Sequence, residues 1–495
     1  MRKLKWIGVL LCLAMLIAAF VGCGSNKTAR VTEEDPNAVP EDTYEINWYT
    51  MGAAMGDIAE VESAINDYIK DKINATVKIT RMESGQYQQQ LNTMMATGEY
   101  FDCCFVSNWC LDYASNARNG GFLALDEYID KYMPETKALM EEDIWDNVRV
   151  EGKIYGIPAY KEFAEQRGWA YRTDIAEKYN IDMSQYKTVE SLEPVLKMIK
   201  ENEPDFAYPI DWGSDRTPKE LCEYNDLATG LALFNKKYEG KVAKLLDDPD
   251  YINAARTARK FYNEGLIKPD IATSSDFNQR LKDGKTFAYL EFLKPGKAKE
   301  VCQKFNFELD QAPITEITQL ASAGQGSMIG ISRSSKNPVR VARFLELVNT
   351  DKYLNNLINF GIEGKHYTKI GEDMIKVTPN AGYTLSGETW MTGNVFLNYL
   401  VEGEDANKLK DLKEFNKDAV KPWHYGFVFD ATPVEQEIAA CKNVNEEYGK
   451  QFIMGAVDPD AVIDDYKAKL AAAGIDKVQE EAQRQLDEFM ASKNK

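Results

Sequence analysis

The stretch FDCCFVSNW ends an apolar run with Asn108 and Trp109, setting an indole ring beside an amide where a predicted strand meets its loop. An exposed aromatic face stacks on apolar C–H surfaces, and amides, carboxylates or guanidinium groups at its edge satisfy hydroxyls. That chemistry holds a polar solute without reacting with it. Tyr49 and Asp57 flank a second loop, TMGAAMGD; Asp57 also has the context of a helix N-cap, with Glu60 three residues on, and capping is a sufficient reason for it to be there. Covalent chemistry has less footing. The chain lacks a Gly-x-Ser-x-Gly elbow, a His-Glu-x-x-His and a Gly-rich phosphate loop. With two histidines, no Cys-x-x-Cys and no EF-hand spacing, neither a metal nor a cofactor is expected. Glycoside hydrolysis needs only two carboxylates, so among 78 acidic residues a surface glycosidase stays open as the alternative. The clustered carboxylates, such as Glu141-Glu142-Asp143 and Asp247-Asp248, read as solvated faces.

These loops need a scaffold. YEINWYT and ATVKIT read as strands, separated by a helix with Ile58, Val61, Ile65, Tyr68 and Ile69 at helical spacing. A second helix carries Tyr87, Leu91, Met94 and Met95 on one face, stops at Gly98, and leads into the third strand. The order βαβαβ predicts parallel strands whose C-terminal ends share one rim, which is where TMGAAMGD and SNW would lie. A further α/β stretch begins near GWAYRTDIAEKYNI, short strands return around KTFAYLEFL, and GSMIGIS leads to a helix started by Asn337-Pro338, with Val341, Phe344, Leu345 and Val348 on one face.

The N-terminal residues lead one to expect export from the cell. Arg2, Lys3 and Lys5 precede an apolar run from Trp6 to Val21, the layout of a secretory signal. Phe20-Val21-Gly22-Cys23 resembles the lipobox of bacterial lipoproteins, in which the cysteine is lipidated and becomes the mature N-terminus. A two-chain lipid on Cys23, at about 0.8 kcal/mol per buried methylene, would anchor the protein at a membrane. Residues 23–43 are polar and acidic, with Pro36 and Pro40, and read as a tether. The 450 or so residues beyond it exceed what one core usually serves and suggest at least two lobes. The formal charge of −19 makes nucleic acid an unsuitable partner. The six cysteines beyond Cys12 and Cys23 allow either free thiols or a disulfide.

At GKIYGIPAY, residues 152–160, the chain resembles the family 1 extracellular solute-binding proteins of bacterial ABC importers. GWAYRTDIAEKYNI, LKDGKTFAY and GSMIGISRSSKNPVRVARFLELV follow in the family's order. GFVFDATPVEQEIAACKNVNEEY and AAAGIDKVQEEAQRQLDEFM look like the lipoprotein subgroup with its own C-terminal module, often linked to oligosaccharide uptake. The resemblance implies an α/β fold: a two-lobed periplasmic-binding-protein-like clamp, each lobe a mostly parallel sheet flanked by helices, with a helical C-terminal extension. The implied organisation is a signal peptide at 1–22, a lipidated tether at 23–43, a first lobe at 44–158 and 286–315, a second lobe at 159–285 and 316–400, and a C-terminal module at 401–495. Such a clamp closes on a solute that touches both lobes, and a permease reads the closure.

The resemblance adds candidates. Tyr160 and Glu162 follow the crossing segment, where residues of the family often face the cleft, with Arg167 near them in sequence. Trp390 in SGETWMTGN and Trp423 in KPWHYGF are loop tryptophans that could stack on a sugar or pack the C-terminal module onto a lobe. The implied function is a lipid-anchored, extracytoplasmic binding protein, expected as a monomer. It would deliver an oligosaccharide, or otherwise a peptide or other small polar solute, to ABC permease transmembrane subunits.

Overall fold

The computed structural model describes residues 34–493, apart from 214–215, 275–276, 303–304 and 306. Cys23 and the signal-like segment lie outside the described residues.

The first unit follows the expected alternation: β1 (Tyr44–Met51), α1 (Ile58–Ile73), β2 (Ala75–Met82), α2 (Ser84–Thr97) and β3 (Cys103–Val106). Val61, Ile65 and Ile69 of α1 and Tyr87, Leu91 and Met94 of α2 are buried, as their helical spacing requires. Helix α2 ends at Gly98 in the left-handed region (φ 70°), where a side chain would be strained. The chain then supplies β4 (Gly156–Pro158), β5 (Ala164–Arg172), β6 (Ile210–Asp211), the hairpin β7 (Tyr224–Ala228) and β8 (Leu231–Phe234), β9 (Ala288–Leu293), β10 (Leu309–Pro313) and β11 (Met328–Ile331).

The first sheet has the order β2-β1-β3-β11-β4 and the second the order β10-β5-β9-β6. This corrects the expected lobe boundaries. Residues 288–313, expected in the first lobe, give the second sheet β9 and β10, whereas β11, expected in the second lobe, pairs antiparallel with β3 in the first, Gly330 opposite Cys104. The helices α3 (Pro338–Thr350) and α4 (Lys352–Phe360) pack into the first core beside Trp48, Leu91 and Phe105. The second sheet is also less parallel than expected, because the long crossing strand β5 runs antiparallel to both β9 and β10 and only β9 with β6 is parallel.

Residues 159–163 and 314–327 carry the chain between the sheets. At the C-terminus, α5 (Glu435–Ile453), α6 (Pro459–Ala473) and α7 (Ile475–Lys493) complete the chain. Phe452, Tyr466, Leu470, Val478 and Leu486 from these helices share one core with Trp169 and Phe261, so the module is built onto the second lobe. The described part of the tether is held as well. Glu34 accepts hydrogen bonds from Arg340, fully buried in α3, at 2.9 Å and from Arg343 at 3.2 Å, which fastens residues 34–43 to the first lobe.

Candidate functional site

Between the lobes lies a cavity of about 810 Å³. The first lobe lines it with Asn108, Trp109 and Trp390, and the second with Tyr289, Glu291 and Phe292 of β9, while Glu162 enters from the crossing segment. Trp109 follows β3 because the strand ends at Val106 and Ser107 turns the chain: Ser107 N donates to Cys110 O, and Cys110 N to Ser107 Oγ, both at 2.9 Å. The indole is 51% exposed, and its Nε1 donates to Gly326 O at 2.9 Å. Trp390 lies beside it with ring centroids 6.0 Å apart, and both rings rest on Phe105. Asn108 Nδ2 donates to Ser322 Oγ at 2.9 Å, tying the rim loop to the second crossing.

The carboxylates of the cavity are neutralised in place. Lys294, at the end of β9, sits between Glu162 and Glu300, 3.1 Å from each, and Glu300 also meets Lys297 at 3.2 Å. Burial works against the charge of Glu162, but Lys161 and Lys294 outweigh it and hold the carboxyl down at about 2. Burial likewise opposes the charge of Glu300, and the field of Lys294 still keeps it well below the usual carboxylate range. Glu291 pairs with Arg216 at 3.1 Å, and Glu165 with Arg167 at 2.7 Å. A glycosidase acid must hold its proton near neutral pH, which needs a raised pKa. Glu162 and Glu300 are shifted the other way, the wrong direction for that role.

Asn108, Trp109, Glu162 and Trp390, four of the sequence candidates, meet in this cavity. Arg167 stands just behind it, its guanidinium 3.7 Å from the centre of the Phe292 ring, and supports the wall from outside. The other four lie elsewhere. Tyr160 packs on Phe396, centroids 4.6 Å apart. Tyr49 lies within β1 with its ring against Phe101, 6.0 Å away, because the strand runs on to Met51 and leaves Tyr49 short of the rim. The loop after β1 leans on the β2 edge instead of the cleft, held by Arg81 Nε donating to Ala53 O at 3.0 Å. Asp57 makes no side-chain cap; its carboxylate faces Lys365 at 2.9 Å and His366 Nε2 at 3.2 Å. Trp423 packs on the second core and donates from Nε1 to Phe234 O at 2.8 Å, so here packing of the module is the correct reading.

Tyr289, Glu291, Phe292 and Lys294 match no binding motif in the sequence, although KTFAYLEFL reads as strand. A carboxylate inside an otherwise apolar strand was the available signal, since Tyr289 and Glu291, two residues apart, share a face of β9.

Comparison with known proteins accords with this geometry. Residues 63–362 match the family model described as bacterial extracellular solute-binding protein, and residues 424–491 match a domain of unknown function, DUF3502. A carbohydrate ABC transporter substrate-binding protein of Streptococcus pneumoniae serotype 4 is 30% identical over 458 residues, covering 90% of this chain and 91% of that protein. Lipoprotein LipO of Bacillus subtilis is 26% identical over 394 residues, 74% of each chain. The crystal structure of the N-glycan transport solute binding protein NgtS from Streptococcus pneumoniae superposes with a TM-score of 0.82 at 28% identity, covering 91% of this chain and 99% of that one. The family model, the Streptococcus pneumoniae substrate-binding protein and NgtS are all described as solute- or substrate-binding, and the glycosidase alternative falls with that finding. The chain belongs to the bacterial extracellular solute-binding proteins.

Proposed function

We propose that this protein captures an oligosaccharide outside the cell and hands it to an ABC permease, held at the membrane by a lipid on Cys23. The observation that carries the reading is the Trp109–Trp390 pair on one side of a two-lobed cavity whose other lobe brings Tyr289, Phe292 and paired charges. Sugar rings offer apolar faces to indoles and hydroxyls to carboxylates, amides and cations already fixed by their own ion pairs. A ligand that touches both lobes favours the closed clamp through its differential affinity. The relatives support the same class of solute: one is named for carbohydrate transport, and NgtS has been crystallised with Man1GlcNAc and with Man5GlcNAc. Among the described residues no helix is long and apolar enough to cross a membrane.

The test is a thermal-shift screen of the mature protein against oligosaccharides and peptides. An oligosaccharide at 100 times its dissociation constant should add about 2.7 kcal/mol of stability. Stabilisation by peptides alone would assign the cleft to them, and conversion of the sugar on long incubation would restore the glycosidase. The anchor is tested separately: Cys23→Ala should abolish incorporation of labelled fatty acid, and undiminished labelling would refute it.

A further inference from the structure

Beside the main cavity lies a second hollow of about 270 Å³. The two share Asn108, Asn225 and Ser322 as lining residues, so they adjoin at the Asn108–Ser322 hydrogen bond. The wall opposite belongs to the C-terminal module: Phe427, Val428, Phe429 and Ala431. This segment is braced on both sides. Asp430 meets Arg118 of the first lobe at 3.0 Å, and Gln485 of α7 both accepts from Asp430 N and donates to Asp430 O, at 2.8 and 2.9 Å.

The lining has the mixture a sugar unit requires, with the Phe429 ring, the amide of Asn225 and the carboxylates of Asp112 and Asp226. Asp226 is exposed and opens into the hollow. The volume holds about nine waters at ~30 Å³ each, which is enough for a monosaccharide unit.

We propose that this chamber is an extension subsite for further sugar units of an oligosaccharide seated against Trp109 and Trp390, and that the module at 424–491 thereby sets the length or branching of the accepted glycan. The inference rests on the carbohydrate reading above.

Calorimetric titration of the full mature protein with two graded pairs tests it: Man1GlcNAc against Man5GlcNAc, and maltose against maltoheptaose. Ala431→Trp fills the chamber from the module side. It should weaken the longer member of whichever pair binds by about tenfold or more while leaving the shorter within about twofold. Asp226→Asn, which keeps the side-chain shape, should show the same selectivity to a smaller degree and serves if the tryptophan variant does not fold. Equal loss for both lengths, no loss for either, or a wild type that gains nothing from length overturns the extension subsite while carbohydrate binding stands. A wild type that binds no oligosaccharide removes the carbohydrate reading and the chamber together.

Discussion

Replacing Trp109 by alanine probes the ligand wall with a magnitude that follows from its exposure. About half of the Trp109 surface, 51%, is exposed, and the ring leans on Phe105 and Trp390 at 5.7 and 6.0 Å. A tryptophan buries up to about 250 Å² when covered, so a sugar stacked on the open half removes roughly 125 Å² from water. At about 25 cal/mol per Å² this is ~3 kcal/mol, or roughly 150-fold in affinity. The protein-facing half has a similar area and one hydrogen bond, to Gly326 O, so the fold also loses about 3–4 kcal/mol. Trp109→Phe should recover part of both losses. The assay is calorimetric titration of each variant with the oligosaccharide that stabilises the wild type, well below each variant's melting temperature. Trp423→Ala is the control, since its ring packs on the second core: it should lower the melting temperature and leave the dissociation constant of the folded protein unchanged. A folded Trp109→Ala variant with wild-type affinity would refute the assignment of this wall.

Lys294→Met leaves Glu162 and Glu300 without their shared cation and should destabilise the protein by about 3 kcal/mol at neutral pH. The lowered pKa of Glu162 contributes stability above its ordinary 4.5 that is lost as pH falls towards about 2, so the gap between variant and wild type should narrow over that window in urea melts; a constant gap would refute the electrostatic origin. His424, 1% exposed, is held at about 4 by burial, with Lys493 adding to the effect, so the unfolded chain takes up a proton between pH 6.5 and 4 that the folded one refuses. Stability should therefore fall as pH drops through that window, by up to about 3 kcal/mol, and His424→Gln should flatten the slope; an unchanged slope would assign the loss to other groups. The thiols of Cys103, Cys104, Cys110, Cys222, Cys302 and Cys441 are free. The unreduced denatured protein should therefore expose all of them to a thiol reagent, and the native protein should react slowly, with burial pushing Cys104 up to about 12 and Cys110 up to about 11. A rise in the denatured count on reduction would show a disulfide.

Local order was readable along the chain. The spacing of Val61, Ile65 and Ile69, the stop at Gly98 and the apolar run before Asn108 and Trp109 each depend on neighbours a few residues away. Those signals placed the βαβαβ unit and one wall of the cleft. Sheet membership depends on partners far along the chain. AYLEFL and MIGI are both short buried strands, and their pairings with β5 and β3, more than 100 residues earlier, assign them to opposite lobes from those expected. The same holds for the tryptophans. Trp390 and Trp423 both read as loop residues in the sequence, but Trp390 sits in a one-turn 3-10 helix and meets Trp109 at the cavity, whereas the Trp423 Nε1 finds the Phe234 carbonyl and its ring is drawn into packing. Sequence determined which rings and carboxylates were available for a solute. The tertiary structure decided which of them face it, because a loop side chain takes its direction from the long-range contacts that bury or expose it.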